Sequence, residues 1–153
     1  MKIPINYPFV DKEEIREVTS VLSEKSLTSS AFEGGKRVQQ FENLLSKFVK
    51  SKYAIAVNSA TSALHLACLS LDLGEGDWLW TSPITFVASA NCGLYCGAKV
   101  DFVDIDPVTY NLCPKALKKK LVKAKKLGKL PKIVVPVHLC GQPCNMVEIH
   151  ALS

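Results

Sequence analysis

The sequence lacks any apolar run approaching the roughly 18 residues that a membrane-spanning helix needs. Its first residues, Met1 to Asn6, have neither the apolar core nor the small-residue cleavage site of a signal peptide. Internal repeats and low-complexity segments are missing too, and 48% hydrophobic with 22% charged residues is a globular composition. These features predict a soluble cytoplasmic protein with no membrane partner.

Paired C-x-x-C motifs, which structural zinc sites use, are absent although the chain has six cysteines. Several of them lie in apolar stretches, as Cys68 does, and no secretory signal accompanies them. Buried, reduced thiols are therefore favoured over disulfides. The alternative is a metal at His138, Cys140 and Cys144, which are close in sequence but lack the zinc spacing. We predict no metal.

Arginine and aromatic residues are missing from the most basic segment. The net charge of +5 is concentrated in nine lysines between Lys115 and Lys132. Apolar residues recur there at the spacing of one helix face, namely Leu117, Leu121, Ala124 and Leu127. A nucleic-acid surface would more usually interleave arginine and aromatic side chains. We therefore predict an amphipathic helix with a solvated lysine face and no nucleic-acid partner.

From residue 53 onward, short apolar runs alternate with helical patterns. The predicted strands are Tyr53–Asn58, Trp78–Thr81, Lys99–Asp104 and Pro131–Val137. The first predicted helix follows residue 58 and is capped by Ser59 or Thr61. The second is apolar and buried, opened by Pro83, and runs from residue 84 to about 96. The lysine-rich helix and a last helix from about Cys144 follow. This alternation predicts an α/β fold with a mostly parallel, doubly wound sheet and flanking helices.

The first 50 residues follow a different pattern. Lys12–Ser23 and Val38–Val49 predict two amphipathic helices, joined by a polar loop that contains Thr28. We therefore expect a helical arm over residues 1–50 and a partial domain over 51–153. The chain ends at Ser153 within about one helical turn, without the following strand that a doubly wound sheet needs, so we expect a fragment.

Residues Asn58 to His65 stand where a strand is predicted to become a helix. Small residues and free N–H groups at the positive end of a helix favour a phosphate, and Thr61 and Ser62 add hydroxyl donors. A plain helix cap remains the alternative. The segment is neither a Walker A loop nor a G-x-G-x-x-G fingerprint, so ATP and NAD are disfavoured.

The segment Thr81 to Asn91 follows the next predicted strand, at the edge where open α/β sheets bind ligands. Phe86 could lay its flat face on a planar cofactor there. The other interpretation, left open by the sequence, is that Phe86 is a core aromatic residue.

Taken together, four segments resemble the DegT/DnrJ/EryC1/StrS sugar aminotransferases, which are fold-type I enzymes that use pyridoxal 5'-phosphate (PLP). These segments are Asn58–Leu66, Thr81–Asn91, Gly97–Asp106 and His138–Cys144, and they occur in the family's order. Within the family, Gly76–Phe86 and Asp101–Pro107 resemble the branch that makes precursors of pseudaminic acid. The resemblance covers nearly the whole chain.

The resemblance implies roles for particular residues. Ala60, Thr61 and Ser62 would hold the cofactor phosphate, Phe86 would stack on the pyridine ring, and Thr28 would approach the substrate. The loop after Thr28 departs from the family's Leu-Thr-Gln-Gly pattern. In relatives, the lysine that carries the cofactor and the Asp that pairs with the pyridine nitrogen follow the point at which this chain ends, so no catalytic residue is assigned here.

The resemblance also implies an activity for the parent enzyme. It would transfer an amino group from an amino acid donor, glutamate, to C4 of a UDP-4-keto-6-deoxy-N-acetylhexosamine, and it would act as a homodimer. The chain alone would be inactive. Two alternatives stay open: a non-catalytic relative that binds PLP or a nucleotide sugar, and an unrelated Rossmann-like domain, which the missing glycine fingerprint disfavours.

Overall fold

The structure is a computed structural model that describes residues 7–25, 27 and 34–153. The chain divides into two compact units, residues 1–56 and 57–153. Each unit has its own set of helices, and the sheet belongs to the second. Among the described residues, no helix combines the length and the apolar character needed to cross a membrane.

The first unit contains helices α1, Lys12–Ser23, and α2, Lys36–Val49. Both confirm the predicted helices, although α2 begins two residues earlier than expected. Asp11 caps α1 by accepting from the Glu13 amide at 2.7 Å, while the Glu14 carboxylate accepts from the Asp11 amide at 2.9 Å. This reciprocal box is the reason why α1 begins where it does.

The second unit is built around three short parallel strands in the order β2-β1-β3. Its elements in chain order are α3 Ala60–Ser70, β1 Trp78–Thr81, α4 Ala88–Tyr95, β2 Lys99–Phe102, α5 Pro114–Leu127, β3 Ile133–Val135, a 3-10 turn Leu139–Gly141 and α6 Met146–His150. Parallel pairing with helical crossovers confirms the predicted α/β class.

The two faces of β1 carry two separate cores. Leu79 packs on one face with Cys68, Cys92 and neighbouring residues of α3 and α4. Trp80 packs on the other face with residues of α5 and α6. Because successive strand residues point to opposite faces, this alternation places helices on both sides of the sheet.

A network at the N-terminal ends of the strands fixes the start of β1. The Lys132 ammonium lies 3.0 Å from a carboxylate oxygen of Asp77, and the same oxygen accepts from the Gly74 amide at 3.0 Å. The Asp77 carbonyl accepts from the Lys99 amide at 2.9 Å. The network therefore connects the segments that lead into all three strands.

One predicted strand and one predicted helix start are wrong, and two further strands are shorter than predicted, at Lys99–Phe102 and Ile133–Val135. Residues 53–58 do not form a strand: no described strand pairs with them, and the Ala56 amide donates instead to the Glu42 carboxylate at 2.7 Å. The helix expected from residue 84 begins at Ala88, and residues 82–87 form a loop. The chain needs this loop to pass from the edge of the sheet to the helical layer, so Pro83 does not open a helix.

The helix after this loop is also only partly buried. In α4, Ala88, Ser89, Cys92 and Gly93 are buried, whereas Leu94 and Tyr95 are more than half exposed. The prediction of an all-round buried helix is therefore wrong. In α5, Leu117 and Ala124 are buried as predicted, but Leu127 is exposed because it lies at the helix end, beyond the Trp80 core.

Candidate functional site

Helix α3 begins with a hydrogen-bonded serine pair. Ser59 is the N-cap, and its Oγ accepts from the Ser62 amide at 3.2 Å. The Ser62 hydroxyl donates to Asn58 Oδ1 at 2.7 Å and lies 3.1 Å from Ser59 Oγ. Serine caps a helix well because its hydroxyl replaces a missing backbone acceptor. The structure thus selects Ser59 over Thr61 as the cap.

The cap leaves donors of the first turn available. The amides of Ala60 and Thr61 and the Thr61 hydroxyl make no hydrogen bond within the described part of the chain. All three groups belong to the positive end of an eleven-residue helix. Ser62 differs from the prediction in one respect: its amide and its hydroxyl are already engaged with Ser59 and Asn58. This end of α3 can therefore receive an anion mainly through Ala60 and Thr61.

Phe86 lies in the loop that follows β1, and 75% of its surface is exposed. Its side chain is therefore not a core residue, which removes the alternative left open by the sequence. The loop is tied to α4 by the Ser89 amide, which donates to the Phe86 carbonyl at 3.1 Å, and by the hydroxyls of Thr85 and Ser89, 2.8 Å apart. An exposed ring on an anchored loop is available to a ligand.

The connections bring Phe86 and the start of α3 to the same edge of the sheet. Helix α4 leaves the C-terminal end of β1 and returns the chain to the start of β2. Helix α3 packs against α4 through Cys68 and Cys92. The carbonyl of Asp72, two residues after α3, accepts from the Lys132 ammonium just before β3, so α3 ends at the N-terminal edge of the strands. Both helices therefore point their N-termini towards the C-terminal edge of the strands, where open α/β sheets bind ligands.

Two further loops at this edge are fixed by Asn111, which the sequence did not single out. The side chain is 3% exposed; its Nδ2 donates to the Gln142 carbonyl at 2.8 Å and its Oδ1 accepts from the Leu139 amide at 3.0 Å. Asn111 thus joins the loop after β2 to the loop after β3. The sequence contains one signal for the loop that carries Asn111, the turn-forming pair Asp106-Pro107. In the structure, the Asp106 carboxylate accepts from the amides of Val108 and Thr109.

Two of the three residues considered as metal ligands, His138 and Cys144, are engaged with each other or with the backbone. His138 Nδ1 accepts from the Cys144 amide at 3.1 Å, and the Cys144 thiol donates to the Val137 carbonyl at 3.1 Å. Cys140 is exposed in the left-handed region, with φ of 52°. Within residues 7–25, 27 and 34–153, no group of three His, Cys, Asp or Glu side chains is arranged to hold a metal.

Three thiols lie between α3 and α4. Burial, followed by the neighbouring thiols of Cys92 and Cys96, raises the pKa of Cys68 to about 12. Burial also raises the pKa of Cys96, and Cys92 adds to this effect. Cys68 and Cys96 therefore stay protonated near neutral pH and serve as packing residues. The substrate-side candidate, Thr28, lies outside the described residues.

The chain matches known aminotransferases along nearly its whole length. The model of the DegT/DnrJ/EryC1/StrS aminotransferase family matches residues 8–153. The spore coat polysaccharide biosynthesis protein SpsC of Bacillus subtilis is 41% identical over 99% of the chain and 36% of its own length. The UDP-4-amino-4,6-dideoxy-N-acetyl-beta-L-altrosamine transaminase of Campylobacter jejuni serotype O:2 is 38% identical over 94% of the chain and 36% of its own.

The fold of the chain also matches that of solved aminotransferase structures. A proposed sugar aminotransferase of Streptococcus pneumoniae, solved in its PLP form, superposes with a TM-score of 0.84 and 25% identity over 99% of the chain and 36% of that structure. The chain thus spans about a third of the length of the relatives it matches. These relatives confirm the predicted fold and PLP as the family's cofactor.

Proposed function

The chain belongs to the DegT/DnrJ/EryC1/StrS aminotransferase family, and we propose that it supplies the cofactor-phosphate site of a PLP-dependent sugar-nucleotide aminotransferase. The observation that carries this proposal is the open first turn of α3, with the unpaired amides of Ala60 and Thr61 at the positive end of the helix. The family match spans this turn, and the family uses PLP.

The described residues fit the cofactor. Two backbone donors and the Thr61 hydroxyl suit a phosphate dianion, which a helix N-terminus stabilises. Ser62 would join them only if its hydroxyl turned away from Asn58. The exposed ring of Phe86, at the same edge of the sheet, suits one face of a pyridine ring.

When bound, PLP supplies the carbon that exchanges the amino group and a ring that delocalises negative charge. The residues of this chain bind and orient the cofactor: Thr61 and Ala60 fix its phosphate end, and Phe86 covers its ring. The lysine that carries the cofactor and the Asp that keeps the ring nitrogen protonated are proposed to belong to the rest of the protein. The chain alone is therefore expected to be inactive.

We propose that the whole protein, as a homodimer, transfers an amino group from glutamate to C4 of a UDP-4-keto-6-deoxy-N-acetylhexosamine, as in pseudaminic acid biosynthesis. The similarity to the Campylobacter transaminase supports this substrate class. From the family resemblance, Thr28 is proposed to approach the substrate. A non-catalytic relative that binds PLP or a nucleotide sugar is the alternative, because no catalytic lysine is assigned in this chain.

The test is an amination assay on the whole protein. Purified protein is incubated with glutamate and a UDP-4-keto-6-deoxy-N-acetylhexosamine, and the 4-amino sugar is quantified by mass spectrometry. We expect amination that depends on glutamate and PLP. Replacing UDP by GDP in the substrate is the matched control and should lower kcat/KM. Stoichiometric PLP without amination of either nucleotide would support the non-catalytic alternative.

A further inference from the structure

The two outer strands of the sheet differ in composition. Strand β2 contains the charged residues Lys99 and Asp101, whereas β3, Ile133–Val135, is apolar throughout. Charged residues are typical of strands at the edge of a sheet, while strands inside a parallel sheet are near-continuous apolar runs. The composition of β2 is therefore that of a terminal strand, and the composition of β3 is that of an internal one.

Side chains close the outer edge of β2. The Val103 amide donates to the Thr81 carbonyl at 2.8 Å, so Val103 faces β1 and Phe102 faces away from it. The Phe102 amide donates to Asp101 Oδ1 at 2.8 Å. The Phe102 carbonyl accepts from the Lys120 ammonium, which also lies 2.7 Å from Asp101. Both backbone groups that Phe102 offers to a neighbouring strand are thus already satisfied.

The outer edge of β3 differs in this respect. The Lys132 amide donates to the Trp78 carbonyl at 2.8 Å, so Lys132 faces β1. Because alternate residues of a strand face opposite edges, the amides of Ile133 and Val135 point away from β1. Neither amide has a hydrogen-bond partner in the part of the chain that the structure describes. An apolar edge with free backbone donors is a template for another strand.

An apolar groove of about 400 Å³ lies beside β3, on the face of the sheet that carries α5 and α6. Its lining includes Leu121 of α5, Val134 of β3, Met146 of α6 and Leu130. The groove is open, since Leu130 is 48% and Met146 is 42% exposed. Apolar surface next to an unpaired strand edge is suited to burial under a further element of the sheet.

The handedness of the connections gives the side on which the sheet continues. Helix α4 connects β1 to β2 on the face of Leu79, and α5 connects β2 to β3 on the face of Trp80, in the opposite direction across the sheet. Reversal of both the face and the direction keeps one hand. Helix α6 follows β3 on the Trp80 face. A right-handed connection through α6 to a parallel strand therefore leads past β3, away from β1.

We propose that a further parallel strand, from the part of the whole protein that follows residue 153, pairs with the outer edge of β3 and covers the groove. This rests on the proposed function, in which the chain belongs to a longer aminotransferase; the chain covers only 36% of SpsC. The added strand bonds to the amides of Ile133 and Val135. Because it is parallel, its carboxyl end lies at the edge of the sheet that holds Thr61 and Phe86. The sheet thus grows past β3 and terminates at β2.

Hydrogen exchange of the whole protein, measured residue by residue, tests this pairing. The amides of Ile133 and Val135 should exchange within about ten-fold of the amide of Trp80 on the central strand. The Val100 amide, on the outer edge of β2, should exchange at least about 100-fold faster. Equal exchange at Ile133 and Val100 would overturn the proposal. Protection of Ile133 that is lost on dilution would also overturn it, because a second copy would then supply the partner.

A matched pair of variants tests the cover over the groove. Met146→Lys places a charge in the groove, while Val147→Lys places it on the same helix at a position that is 83% exposed and outside the groove. In the whole protein, Met146→Lys should lower the melting temperature by at least about 4 °C, and Val147→Lys by less than about 1 °C. Equal shifts would show that the groove stays open to water and would overturn the proposal.

The two measurements together separate the strand from other covers. A helix over the groove would reproduce the melting difference but leave Ile133 exchanging as fast as Val100, and would overturn the proposal. If Met146→Lys does not fold while Val147→Lys does, the exchange of the unaltered protein still decides. Neither measurement depends on PLP or on a sugar substrate. An inactive protein with a protected Ile133 amide would therefore contradict the proposed function alone.

Discussion

The Oγ of Ser59 accepts a hydrogen bond from the amide of Ser62 at 3.2 Å, and this contact fixes the start of helix α3. Loss of the cap should destabilise the fold, because the amide of Ser62 loses its acceptor. We predict that Ser59→Ala lowers the free energy of unfolding by about 1 kcal/mol. Ser70→Ala, at the other end of α3, is the control and should stay within about 0.5 kcal/mol in urea unfolding. Equal losses would show that Ser59 does not act as a cap.

The exposed ring of Phe86 gives a second prediction, which separates ligand binding from stability. Phe86→Ala should weaken PLP binding by the whole protein roughly three- to ten-fold, since a stacking contact contributes about 0.5–1.5 kcal/mol. Phe86→Trp should restore it. Because 75% of the side chain is exposed, the melting temperature should hardly change. Phe48→Ala on α2, also an exposed phenylalanine, should alter neither quantity. A normal PLP affinity in Phe86→Ala would remove the stacking role.

Asn111 supplies a third prediction, about the loops at the C-terminal edge of the sheet. Asn111→Ala removes two hydrogen bonds, to Gln142 and Leu139, and should lower the free energy of unfolding of residues 57–153 by about 1–3 kcal/mol. Hydrogen exchange should rise at the Leu139 amide. Asn43→Ala, an exposed asparagine of α2, is the control. Unchanged exchange at Leu139 would contradict the proposed clamp.

The pair of Asp77 and Lys132 predicts a pH dependence. Hydrogen bonds from Lys132 and the Gly74 amide lower the pKa of Asp77 from its ordinary value of 3.8. The folded protein therefore releases this proton more easily than the unfolded chain, so the pair stabilises the fold above about pH 4 and loses its effect as the pH falls through the lowered pKa. Asp77→Asn should destabilise the protein at pH 7.

The same variant provides its own check at acid pH. The difference between wild type and Asp77→Asn should shrink below about pH 4, when measured by urea unfolding at several pH values. Lys132→Met removes the same pH-dependent contribution together with the hydrogen bond from Lys132 to the Asp72 carbonyl, so its destabilisation should shrink in acid without vanishing. A difference that stayed constant down to pH 2 would show that the charge of Asp77 is not involved.

Local sequence patterns were sufficient wherever the decisive contacts are local. Helix α1, Lys12–Ser23, begins at its own capping box. The side chains of β1, Trp78–Thr81, alternate between two cores, as expected for an apolar strand flanked by helices. The sequence also predicts the start of α3, because a serine that precedes small residues caps a helix through local contacts. The family resemblance added the cofactor, which no single motif could establish.

The failures have a common cause in contacts distant along the chain. Residues 53–58 have the composition of a strand, but a strand needs a partner for its backbone, and none of the described strands pairs with them. Pro83 is suited to a helix start, yet Thr81 is tied to Val135 across the sheet at 2.9 Å, so the chain must first leave the strand edge. Asn111 was missed because its partners lie 28 and 31 residues away.

The affinity of the whole protein for PLP, compared between wild type, Thr61→Val and Thr109→Val, tests the central claim most directly. Thr61→Val keeps the shape of the side chain but removes a hydroxyl donor beside the free amides of α3. A hydrogen bond to a charged group contributes about 1.5–3 kcal/mol, so the Kd for PLP should rise at least about ten-fold. Thr109→Val, in the loop after β2, should leave it unchanged. Equal affinity in all three proteins would contradict a cofactor-phosphate site at the start of α3.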